Sequence, residues 1–135
     1  NADWLAEPGN EDIAMRFLRA SFRGWIFCRD NFDECVQIVL DNGPTLGASH
    51  QAWQLNEINK LIWPSPDGIG VMDPLLWAQT VTVATGQGVI QAAPADGTYR
   101  TDLADQALAS LQAEGLDTTG AGFTPREVTL NPNGE

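Results

Sequence analysis

Apolar residues recur at three- and four-residue spacings along most of this chain, and the repeat breaks at glycine, proline and Asp-Asn pairs. Placed about 100° apart, Ala14, Phe17, Leu18, Ser21, Trp25 and Cys28 fall on one arc, which Phe22 and Ile26 widen. Arg16, Arg19 and Arg23 lie opposite. The pattern predicts a surface helix over residues 10–30, capped by Asn10, with Glu11 and Asp12 at its positive end. Asp30-Asn31 restarts the chain. Asn31 is the expected cap of a second helix that turns Cys35, Val36, Val39 and Leu40 inward and stops at Asp41-Asn42-Gly43-Pro44. A third helix is predicted from Ala48 to Ile62, with Leu55, Ile58 and Ile62 inside and Trp53 and Leu61 flanking; Trp63-Pro64 ends it.

Residues 63–72, with two Pro and two Gly, read as a loop. Asp73-Pro74 then opens a fourth helix with a side-chain cap followed by proline at the first helical position. Leu76, Trp77, Thr80, Val81 and Ala84 follow at helical spacing, and Gly86 and Gly88 close it. Thr101 is the expected cap of a fifth helix carrying Leu103, Ala104, Ala107, Leu108 and Leu111 to Gly115. Residues 116–135 form an irregular tail in which only Glu127 to Leu130 reads as extended. The fold class expected of the isolated chain is mainly α, with about five helices in residues 1–135. Their apolar arcs are wide enough to call for a further layer beneath them, as in an α/β lobe stripped of its sheet.

Charge narrows the function classes. The chain carries 18 acidic and 7 basic residues, a net charge of -11, which speaks against a nucleic-acid surface and against docking on anionic lipid. No apolar run approaches the roughly 18 residues of a membrane span. The first residue is Asn and no signal peptide is visible, so a processed N-terminus or a piece of a longer protein is expected. Cys28 and Cys35, the two cysteines, lack the spacing of a zinc site. On one unbroken helix they would stand about 10 Å apart, too far for a disulfide. A break near Asn31 would bring them closer, but two buried thiols are the expectation.

Residues suited to reactive chemistry are sparse. His50 is the single histidine, expected at the surface near a helix start, and no nucleophilic triad gathers around it. Asp30, Asp33 and Glu34 cluster as helix-start residues rather than as an acid–base pair. The glycines of PDGIGV lack phosphate-loop spacing. The arginine stripe is expected to be a solvated face, with docking on a partner as the lesser alternative. Five Trp stand out. Trp25, Trp53 and Trp77 fall on helical stripes and are expected in the core. Trp4 and Trp63, read as lying outside helix interiors, are the better candidates for stacking on a flat ligand.

The order of segments resembles one family. Phe17, Ala20, Gly24 and Trp25 match a helix reading F-x-x-A-x-x-x-G-W. Asp30, Asn31, Asp33 and Glu34 match D-N-P-E-E-A except that Phe32 replaces the proline. Asn59, Lys60, Trp63, Gly70, Met72 and Asp73 continue the match, as do Tyr99 and the helix after it. Together they resemble ABC-importer solute-binding proteins related to thiamine-pyrimidine precursor binders, with sulfonate, taurine, nitrate and riboflavin binders as broader relatives.

The resemblance implies that residues 1–135 form the C-terminal helical part of one lobe of a two-lobed, type II periplasmic-binding-protein fold. Both sheets and most of the pocket would lie upstream. The implied function is extracytoplasmic capture of a small heteroaromatic vitamin or precursor, of thiamine-pyrimidine or riboflavin type. Its partners would be that solute and an ABC permease, and the intact protein would be periplasmic or a cell-surface lipoprotein. Ligand contacts are assigned to Trp4, Trp63 and Asp73. No catalytic residue, metal or cofactor is expected, and the fragment is expected to self-associate through an exposed apolar face. The alternatives are an enzyme related to thiamine-pyrimidine precursor synthases and a free-standing helical interaction domain.

Overall fold

A computed structural model describes residues 1–135. The chain is all-helical: α1 (Ala2–Ala6), α2 (Asn10–Asp30), α3 (Phe32–Asn42), α4 (Ala48–Ile62), α5 (Pro74–Gly86) and α6 (Asp102–Ala113), closed by a 3-10 turn at Pro132–Gly134. No strand forms, and Glu127–Leu130 pairs with nothing.

Two buried clusters organise these helices. In the first, Phe22 and Ile26 of α2 meet Ala107, Leu108 and Leu111 of α6 over Trp63 and Ile69 from the loop after α4. In the second, Phe32 and Cys35 of α3 pack on Leu55 of α4. Trp25 is half-buried and touches both clusters, so α2 is the spine of the fold. Gly70 lets the loop run close beneath α2: a Cβ there would meet the Phe22 ring at 2.1 Å, and its φ of 82° suits glycine.

The faces differ from the predicted stripes. On α2 the buried pair is Phe22 and Ile26, while Phe17 is 70 % exposed. The buried arc is therefore rotated toward α6. On α4 the buried residues are Leu55, Asn56 and Asn59, with Trp53 exposed and Leu61 86 % exposed. Asn56 is buried because its side chain stands in for a backbone partner. It accepts from the Arg126 N–H at 2.9 Å and donates to the Arg126 carbonyl at 2.9 Å. The irregular tail is thereby strapped across the bundle. It is fixed again where Ser65 and Ile69 donate to the carbonyls of Thr119 and Thr118, at 2.8 and 2.9 Å, and where Asn131 N–H donates to Ser49 Oγ at 3.0 Å.

Two predicted caps do other work. Gly9, with φ 87°, occupies the cap of α2, while Asn10 lies inside the helix and donates to the Trp4 carbonyl at 2.7 Å. Asn10 thus closes α1, a helix that the periodicity did not predict. Asn31 stands at the start of α3, yet its side chain donates backward to the Phe27 carbonyl at 3.2 Å and caps nothing ahead. Asp73 behaves as expected and accepts from Leu75 and Leu76 N–H at 2.7 and 3.2 Å.

The helix break at Asn31 overturns the expectation of free thiols. Cys28 and Cys35 form a disulfide with their Cα atoms 5.1 Å apart, roughly half the separation that a continuous helix would impose. The kink folds α3 back on α2, and the bridge pins that corner.

Candidate functional site

The three residues assigned to a ligand are dispersed. Trp4 lies within α1, not outside a helix. It lines an apolar groove of about 730 Å³ with Ile13, Phe17 and Leu18 of α2 and Arg100 and Leu103 near the start of α6. Trp63 is 3 % exposed and belongs to the first buried cluster. One ring face lies under the Arg29 guanidinium, whose carbon is 4.5 Å from the ring centroid. Asp73 spends its carboxylate on the N-terminus of α5. None of the main cavities is lined by two of the three.

The other tryptophans also split. Trp25 is half-buried between the clusters. Trp53 is exposed beside the exposed His50, their ring centroids 5.8 Å apart, which corrects its assignment to the core. Trp77 is half-buried, not in either cluster but against Tyr99, with centroids 4.7 Å apart.

The arginine stripe is not simply solvated. Arg19 and Arg23 both donate to the Glu114 carboxylate, and Arg19 also donates to Ser110 Oγ at 2.8 Å, so two of the three clamp α2 to α6. Arg16 pairs along its own helix with Asp12 at 2.9 Å. Arg100 bridges the starts of α2 and α6 by donating to Glu11 at 2.6 Å and to Asp102. That hydrogen-bonded pairing raises the Arg100 guanidinium above its ordinary value and holds the Asp102 carboxyl below its own.

Around the buried Arg29–Trp63 pair, Asp117 organises the tail. Its Oδ1 accepts from the N–H groups of Thr119 and Gly120 and from the Thr119 hydroxyl, at 2.9 to 3.0 Å. These bonds, the Gly120 N–H first, lower the Asp117 carboxyl below the ordinary carboxylate value.

The surface around α5 is apolar and uncharged. From Pro74 to Ala95 the chain carries no charged residue. α5 buries none of its residues, shares no extended interface with another helix, and leaves Leu75 80 % exposed, with Leu76, Val83 and the following Val89 also exposed. A second apolar groove, of about 450 Å³, runs between α2, α3 and α4 beside the disulfide. No helix is long and apolar enough to cross a membrane.

Comparison with protein-family models, with curated proteins and with solved structures yields no match.

Proposed function

We propose that the chain is the C-terminal helical part of one lobe of an extracytoplasmic solute-binding protein that delivers a small heteroaromatic vitamin or precursor to an ABC permease. The observation that carries this reading is α5. A helix with no charged residue and no distinct polar face suits the interior of a larger body or lipid, and α5 is too short for a bilayer. Its exposed Leu75, Leu76 and Val83 suit packing against a further layer, such as the sheet of a lobe. The Cys28–Cys35 bridge supports an oxidising compartment and hence export. On this reading the chain contributes scaffold more than ligand contacts.

Thermal-shift screening of the intact gene product with pyrimidines, riboflavin and sulfonates tests the reading, because a ligand that binds the folded state raises its melting temperature. Stabilisation by one class is the expected result, and no response to any of them removes the proposal.

A second reading, a free-standing helical interaction domain, is favoured by the chain's own core, where Ala107 and Leu111 are completely buried. A monomeric 1–135 chain with a well-dispersed NMR spectrum would support it. Self-association through α5 would favour the lobe.

A further inference from the structure

The segment from Val71 to Thr101 folds back on itself. α5 leaves the Asp73 cap, and the chain beyond it returns alongside, bringing the Tyr99 ring against Trp77 with planes 56° apart. Between the two arms lies a cleft of about 690 Å³, within the usual size range of small-molecule sites. Trp77 and Tyr99 share its lining with Met72, Thr98, Asp96 and Asp105.

The charge of this lining is one-sided. Asp96 and Asp105 are its only charged residues, and no Lys, Arg or His lines it. Arg100, next to Tyr99 in sequence, is held by Glu11 and Asp102 and lines the neighbouring Trp4 groove instead. Aromatic ring faces and unpaired carboxylates both attract positive charge. The net charge of -11 adds a field of the same sign. An anion would face two carboxylates here. Asp96 and Asp105 are both exposed, and a purely apolar guest would give neither a partner.

We propose that this cleft binds a small organic cation, an ammonium head on a compact apolar body, with the head against Trp77 and Tyr99 and facing Asp105. The site needs only residues 71–105 and holds whether or not the chain is part of a lobe.

Tyr99 is the only tyrosine in the chain, so its ring resonances report on the cleft alone. Benzyltrimethylammonium, titrated into the 1–135 chain at low ionic strength, is expected to shift them saturably, while neutral benzyl alcohol at equal concentration leaves them in place. Asp105→Asn is expected to weaken binding about fivefold, and added salt to weaken it further. Asp96→Asn provides a second variant should Asp105→Asn not fold, as judged by circular dichroism. The proposal fails if the cation gives no saturable shift, if benzyl alcohol shifts Tyr99 equally, or if the folded variants bind as tightly as the parent. Cation binding by the chain together with no response of the intact gene product to pyrimidines, riboflavin or sulfonates would sustain this site and remove the solute-binding reading.

Discussion

Arg29 lies over the face of Trp63, its guanidinium carbon 4.5 Å from the ring centroid, and ties α2 to the loop and tail in one contact. The same side chain is 7 % exposed, donates to the Asp117 carbonyl at 3.0 Å and pairs with Asp30 at 2.7 Å. Arg29→Ala removes the ring contact, the packed stem and the bond to the tail, and leaves the Asp117 carbonyl short of a donor. The expected loss is about 2 kcal/mol. Chemical denaturation of both proteins measures it. Arg29→Lys should recover only part of the loss, since an ammonium cannot lie flat on the ring and reach both oxygens.

The disulfide closes a short loop, for which chain entropy alone gives about 2.5 kcal/mol. Cys28→Ser with Cys35→Ser, or reduction of the parent, should lower the melting temperature by an amount consistent with that figure. The circular dichroism of the helices should remain, because α2 is held to α6 independently by Arg19, Arg23 and Glu114. Equal melting temperatures with and without reductant would show that the corner at Asn31 holds without its bridge.

Asp117 predicts an acid limb. Its folded carboxyl is held below its ordinary value, so the unfolded chain takes up the proton first as pH falls. The stabilising contribution is fully present above the ordinary carboxylate value and is lost as pH drops through the lowered one. Asp117→Asn should flatten this part of the stability–pH curve. The readout is the melting temperature from pH 6 to about 2.5, and parallel curves for the two proteins would remove Asp117 from the account.

α5 predicts self-association. With Leu75, Leu76, Val83 and Val89 exposed on an uncharged segment, the 1–135 chain should form concentration-dependent assemblies in sedimentation velocity. Leu75→Glu with Val83→Lys should make it monomeric while changing stability by less than about 0.5 kcal/mol, because neither side chain is buried. A monomeric parent would contradict this and weaken the case for a missing layer.

The positions of the larger helices could be read from local residues alone. Capping chemistry and breakers are local, so Asp73-Pro74, Trp63-Pro64, Asn42-Gly43 and the interruption at Asn31 marked the ends of helices correctly, and the all-helical character followed. α1 escaped because five residues give no periodicity. Within the candidate site, the cap role of Asp73 was legible for the same local reason, but the burial of Trp63 beneath Arg29 was not.

Which helix faces are buried depends instead on contacts between distant segments. Phe17 and Leu61 fit their stripes yet are exposed, while Asn56 and Asn59 are buried, and Asn56 is held by the Arg126 backbone of the tail, far along the chain. The pairing of Cys28 with Cys35 and the meeting of Trp77 with Tyr99 arise in the same way. Each depends on the angle at which the chain turns, and periodicity carries no information about that angle.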